Sequence, residues 1–226
     1  VLHSLPHASD ISGLAISTDG KLLATTNEGN TNVYIWDIES GQQTGIISFD
    51  EVAFTSSYSP KDSILAIGFV DKTILWNTST NQEISILRQV GNIKSITFSK
   101  EGDWLATTSS DGSIYVWDMN NSDFTQPRYK FLQGGSVTSL DFNTEKQWLA
   151  SAGTNGFVYL WDLETGEEVA RIPHADSVSG INFSPHGIQL SPRSRKTVQI
   201  RNTDMSVPTT TQAPLEPARR TPLRTL

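Results

Sequence analysis

The sequence repeats itself, and its tryptophans mark the period. Trp36, Trp76, Trp117 and Trp161 follow one another at steps of 40, 41 and 44 residues, each closing a run of strand-forming residues. The clearest copy runs Thr107-Thr108-Ser109-Ser110-Asp111-Gly112-Ser113-Ile114-Tyr115-Val116-Trp117-Asp118. It reads as a strand, a tight turn and a second strand, because Asp-Gly supplies the positive φ that a short hairpin turn needs. Ser151–Asp162 repeats the pattern with Asn155-Gly156 at the turn, and looser copies end at Trp36-Asp37 and Trp76-Asn77. A period of about 40–45 residues is that of an array whose repeats each contribute four antiparallel strands.

Five such units can be followed. Repeat one runs from Ile11 to about Ser48, with a turn at Asn27–Asn30 that is one residue longer than its counterpart in repeat three. Repeat two covers roughly Val52–Arg88. There Asp71 stands five residues before Trp76, one fewer than separates Asp111 from Trp117, which predicts a bulge or a reshaped turn. Repeat three spans Ile93 to Leu132, with a loop around Asn120–Pro127, and repeat four spans Val137 to Ile172. Repeat five starts well at Val178–Pro185 and then decays, since Ser191–Arg195 occupies the place of an apolar strand and an Asp-type turn. Val1–Leu5 leads to Pro6-His7 as Glu168–Ile172 leads to Pro173-His174, so it reads as the last strand of a repeat.

The residues now carry a family resemblance. Trp-Asp strand ends, Ser-Pro or Asp-Gly first turns and Pro-His leads make the region 1–202 similar to WD40-repeat proteins. The resemblance implies an all-β, WD40-type β-propeller with four antiparallel strands per blade and the last of five repeats degenerate. It also implies a hydrogen-bonded set in each blade: a His before the first strand, a Ser/Thr in the second, an Asp in the turn, and the Trp. Matched position by position, repeat one keeps His7, Thr25 and Trp36, and repeat two keeps Asp71 and Trp76 but has Phe49 and Ile67 in the other places. Repeat three offers Thr107, Asp111 and Trp117 with Gln89 for His. Repeat four offers Ser151, Asn155 and Trp161 with Gln133 for His. Repeat five keeps only His174, with Pro192, Arg195 and Arg201 elsewhere. Family members most often have seven blades, so five units, with a chain that opens on Val1 in mid-pattern, suggest a piece of a larger ring.

Composition narrows the function classes. A net charge of −7 disfavours a nucleic-acid surface over the domain, and the absence of cysteine removes disulfides and thiolate-bound zinc and fits a reducing, cytoplasmic setting. From Ser191 to Leu226 there are seven Lys/Arg against two Asp/Glu, a surplus of five that leaves the preceding segment at −12. Residues 203–226, rich in Pro and Thr, read as a disordered basic tail. His3, His7, His174 and His186 match no metal-ligand spacing, and no nucleophile elbow, phosphate loop or zinc-protease helix occurs. No cofactor, metal or catalytic residue is expected. Asp37, Asp118 and Asp162 recur once per repeat and read as turn structure.

Function then falls to loops on one rim, where the lead into each first strand meets the turn before each third strand. Asp10, Glu28, Lys72, Asn92, Ser110 and Asp176 lie there. Their charges are mostly acidic, which favours a basic peptide or protein patch as partner. The reading is a non-catalytic protein-interaction scaffold without membrane association. Two rivals stand beside it: an accessory or sensor domain of a larger enzyme or NTPase-type signalling protein, and a decayed remnant.

Overall fold

The structure, a computed structural model, describes residues 3–202 other than 144, 185, 188 and 195–197, with Arg201 described by its backbone alone. The 203–226 segment therefore lies outside the described residues. Among those described there are eighteen strands and no helix, and the paired strands within residues 11–109, 137–173 and 180–202 are all antiparallel. The chain divides into two compact units, Val1–Asp111 with Tyr115–Arg128, and Gly112–Ile114 with Tyr129–Leu226.

In the first unit, β1 (Ile11–Ile16), β2 (Leu22–Asn27), β3 (Asn32–Asp37) and β4 (Gln43–Ser48) form a four-stranded sheet in chain order. Repeat two adds β5 (Thr55–Tyr58), β6 (Ile64–Gly68) and β7 (Val70–Asn77), again paired in chain order. A seventeen-residue strand, β8 (Gln82–Phe98), serves two repeats: its first part pairs with β7 and its second with β9 (Trp104–Ser109). β10 (Ser113–Asp118) follows, with Tyr115–Asp118 in this unit. The slip predicted at Asp71 is present. Asp71 has φ 59°, and the register shifts between Val70 and Lys72. A positive φ at a non-glycine residue is uncommon, and Asp is among the residues that tolerate it.

The second unit holds β11 (Tyr129–Leu132) and the four strands of repeat four. These are β12 (Val137–Phe142), β13 (Trp148–Gly153), β14 (Phe157–Asp162) and β15 (Glu168–Pro173), in order β12-β13-β14-β15. Gly156 takes φ 75° in the turn between β13 and β14, the conformation for which the Asn-Gly pair was singled out. A three-stranded sheet completes the unit: β16 (Gly180–Phe183), β17 (Gln189–Arg193) and β18 (Arg201–Asn202).

Two expectations are corrected. The decay from Ser191 does not remove the second strand of repeat five. β17 pairs Gly180 with Arg193 through Phe183 with Leu190, and buries Leu190 and Pro192 while exposing Gln189 and Arg193. That alternation has the strand period of two, and the proline masks it in the sequence. At the other end, residues 3–10 form no strand. His3 instead packs on the β3–β4 turn, where its Nε2–H donates to the Glu39 carbonyl at 2.8 Å.

Sheets stack through their first strands. Tyr58 of β5 packs into a cluster with Ala24, Val33 and Ile35 of the first sheet. Ile96 and Phe98 of β8 pack with Ala66 and Leu75 of the second repeat, and Ile181 and Phe183 of β16 with Ala150, Ala152 and Leu160 of the fourth. Full burial of such a side chain, as at Ile181, contributes about 1.5–3 kcal/mol. The same positions on β1 are Leu14 and Ile16, which are 60% and 61% exposed. At the far end the pattern inverts: where β13 has Trp148, Ala150 and Ala152, β17 has Gln189, Ser191 and Arg193.

Candidate functional site

Register explains how each tryptophan is held. Leu23, Leu65 and Leu149 pair with Trp36, Trp76 and Trp161, so the residues two further on are equivalent: Thr25, Ile67 and Ser151. Trp36 Nε1 donates to Thr25 Oγ1 at 3.0 Å, and Trp161 Nε1 to Ser151 Oγ at 2.8 Å. In repeat three, Trp117 Nε1 reaches Thr107 Oγ1 at 3.5 Å. The hydroxyls donate onward, Thr107 to Gln89 Oε1 and Ser151 to Gln133 Oε1, both at 2.5 Å. Gln89 continues the chain, its Nε2 donating to Thr73 Oγ1 at 2.9 Å. A glutamine carbonyl thus accepts at the place where the resemblance implied an imidazole, and the buried hydroxyl is satisfied on both sides.

The histidines behave differently. His7 stands edge-on to Trp36 with ring centroids 5.2 Å apart, and its buried Nε2 has no hydrogen-bond partner. His174 is buried, and neither of its ring nitrogens has one. Asp71 Oδ1 accepts from the Gly91 backbone N–H at 2.5 Å, which ties the start of β7 to the middle of β8. Asn155 Nδ2 donates to the Gln133 carbonyl at 2.6 Å and to the Tyr159 hydroxyl at 3.1 Å, while its Oδ1 accepts from Phe157 N. Repeat one has the same device in Asn30, which donates to Tyr34 and accepts from Asn32 N. Sequence reasoning passed over Asn30, although it stands six residues before Trp36, as Asn155 does before Trp161. Asp111 of repeat three lies at the exposed turn that leads into β10.

Asp37, Asp118 and Asp162 are turn residues. Asp37 accepts from Ser40 Oγ at 2.6 Å and from Ser40 N at 2.8 Å, bonds that hold its carboxyl below the usual range. Asp118 accepts from Asn120 N, and Asp162 from Glu164 N and Thr165 N. Among the described residues no group of three or more His, Asp or Glu side chains is arranged to hold a metal ion. No described helix is long and apolar enough to cross a membrane.

The rim residues fall at junctions within their own repeats. Glu28 N donates to the Asp10 carbonyl, bringing the lead into β1 against the β2–β3 turn. Ser110 N donates to the Asn92 carbonyl at 2.9 Å, and Asn92 N to Ser110 Oγ at 3.2 Å. Lys72 Nζ pairs with Glu51 at 2.7 Å, joining the start of β7 to the lead into β5. In the second unit the exposed Asp176 lies next to Ser177, whose hydroxyl donates to the Thr154 carbonyl at 3.3 Å.

Repeat two departs from the others, and a cavity lies there. Ile67 and Phe49 stand where Thr25 and His7 stand in repeat one, so Trp76 Nε1 is buried without a hydrogen-bond partner. Phe49 meets Phe69 and Trp76 edge-on, at centroid distances of 4.8 and 5.7 Å. Between these rings and the ends of β4 and β8 lies a cavity of about 330 Å³. Asp50, Glu51 and Glu83 line it along with Lys72. Position in sequence alone did not announce it.

Sheets of four antiparallel strands, repeated at the tryptophan period and stacked through their first strands, define a blade-repeat protein. The WD domain, G-beta repeat profile matches residues 1–37, 82–118 and 126–162. Three WD40 repeats are thus present in the chain, which over these residues is similar to the WD40-repeat family. It is 32% identical over 117 residues to zinc finger CCCH domain-containing protein 48 of Arabidopsis thaliana, a match that covers 51% of this chain and 26% of that one. Similarity to the guanine nucleotide-binding protein subunit beta-like protein of Encephalitozoon cuniculi is 28% over 127 residues, covering 53% and 38%. Pre-mRNA-processing factor 19 of Oryza sativa subsp. japonica is 27% identical over 124 residues, covering 52% and 23%. The matched regions thus amount to between about a quarter and two fifths of these relatives' lengths. Repeats two and five fall outside the profile matches, and these are the repeats that lack the Ser/Thr beneath the tryptophan position.

Proposed function

We propose that this chain is a non-catalytic platform that binds a protein or peptide partner through the loops where the first-strand leads meet the β2–β3-type turns, and that the partner surface is basic. The observation that carries this reading is the charge of those loops in the first unit. Asp10, Glu28, Asp50, Glu51 and Asp71 are exposed carboxylates at lead or turn positions, and Lys72 is paired with one of them. An excess of one sign on loops held by a rigid scaffold attracts and orients the opposite sign. The setting that fits such a platform is intracellular.

The test is a binding titration of the full chain with a lysine- and arginine-rich peptide and with its acidic counterpart, at low and at physiological salt. The basic peptide alone should bind, more weakly as salt rises, and D10K/E28K should weaken it further. Equal binding of both peptides, or no effect of charge reversal, would overturn the proposal. A second reading, an accessory domain of a larger signalling protein, draws its support from the small share of each relative that the matched region occupies.

A further inference from the structure

We infer that the cavity of repeat two is a seat for a single arginine side chain of the partner, an inference that rests on the basic-partner reading above. Three properties of the cavity point to a guanidinium. Phe49 and Trp76, both half-buried, stand in its wall over the buried Phe69, and aromatic faces attract cations, with planar guanidinium stacking on them as well. Its lining residues include three acidic ones, Asp50, Glu51 and Glu83, against the one basic Lys72, which leaves two negative charges in excess. A carboxylate offers two oxygens to the parallel N–H pairs of an arginine, a match that lysine cannot make. A neutral ligand would leave those charges without use, and an anionic one would be repelled.

The chain already holds a cation of its own in this place. Lys72 Nζ sits 5.6 Å from the centre of the Phe69 ring while it pairs with Glu51 at 2.7 Å. Ring and carboxylate therefore act together on a positive group, and Glu83, opposite Trp76 in the β7–β8 register, offers a second carboxylate beside a second ring. The volume, about 330 Å³, is at the small end of ligand pockets and suits one side chain better than a whole recognition segment. The departure of repeat two from its neighbours makes the wall. Phe49 replaces the lead histidine and Ile67 the hydroxyl residue, so the region that elsewhere carries a polar relay here carries an aromatic face.

The experiment uses the full chain and three acetylated heptapeptides, Gly-Ser-Gly-Arg-Gly-Ser-Gly and its lysine and citrulline versions. Binding is followed by the indole N–H resonance of Trp76, identified with W76F. The arginine peptide should shift that resonance saturably and bind at least about fivefold more tightly than the lysine peptide, with citrulline weaker still. E83Q, a change at an exposed residue, should weaken the arginine peptide about tenfold and leave the lysine peptide nearly unchanged. Equal affinity for arginine and lysine with no response to E83Q would overturn the arginine seat while leaving the acidic platform intact. Failure of basic peptides of any kind to bind at low salt would overturn both.

Discussion

Ser151 Oγ accepts a hydrogen bond from the indole N–H of Trp161 at 2.8 Å, and its hydroxyl donates one to Gln133 Oε1. All three residues are buried, so water cannot replace a missing partner. In S151A both the Trp161 N–H and the Gln133 Oε1 lose their partner, at about 1–3 kcal/mol for each buried group left unpaired. The expected loss is about 2–4 kcal/mol, read from urea melts, with little change in the slope. Loss below about half a kcal/mol would mean that the indole is held by its stacking on Phe131 and Tyr159 instead, at centroid distances of 4.5 and 5.4 Å.

Trp76 tests the same relation from the other side. Its N–H lacks a partner because Ile67 holds the register position of Thr25 and Ser151, and Phe49 cannot accept from a hydroxyl placed there. I67T alone should be neutral or destabilising, since it buries a hydroxyl whose own proton has no acceptor. F49Q alone should also destabilise, through the loss of its contacts with Phe69 and Trp76. The double variant F49Q/I67T should be more stable than the sum of the two single effects by about 1 kcal/mol or more, as groups in one hydrogen-bond chain couple. Additive behaviour in the double-mutant cycle would refute this.

Leu14 and Ile181 occupy equivalent places in the first strands of their sheets, yet one is exposed and the other 1% exposed. L14Q/I16T should therefore leave stability within about 0.5 kcal/mol, and it should also reduce self-association seen by light scattering. I181A should cost about 2–5 kcal/mol, because the side chain is removed from a packed cluster. Comparable losses at the two sites would show that the β1 face is covered in solution.

The repeat and its strands were legible from tryptophan spacing and turn chemistry, because both depend on residues close together in sequence. The tryptophan–hydroxyl pairs were legible by register, and so in principle was Asn30, six residues before its tryptophan. The glutamine acceptors could be named as substitutes for histidine, but their hydrogen bonds depend on where β8 and the residues after β11 fall in space. β17 was hidden because Pro192 and Arg193 argue locally against a strand, while the burial of Leu190 beside Ile181 decides for one. The cavity was the least accessible of all. It is lined by a lead, a turn and three strands, and no short window of sequence contains more than a part of it.

Asp141 on β12 closes the joint between the sheets of repeats four and five in the second unit, its Oδ2 accepting from Phe183 N at 2.6 Å. Burial raises its pKa, against the pull of the Phe183 and Phe142 backbone N–H groups. Because the folded value lies above the unfolded one, near 3.9, the folded state binds the proton more tightly. The resulting stabilisation is complete below the unfolded value and is lost as pH rises through the folded value. D141N keeps an oxygen for Phe183 N and removes the charge. It should flatten the pH dependence of stability in that window and hold or raise the midpoint at neutral pH. D141L, which leaves the Phe183 N–H without an acceptor, should cost about 1–3 kcal/mol at every pH. Melts at pH 4 and pH 7 separate the two terms, and a D141N variant less stable at pH 7 than the parent would mean that the carboxylate charge itself strengthens the bond to Phe183 beyond what burial takes away.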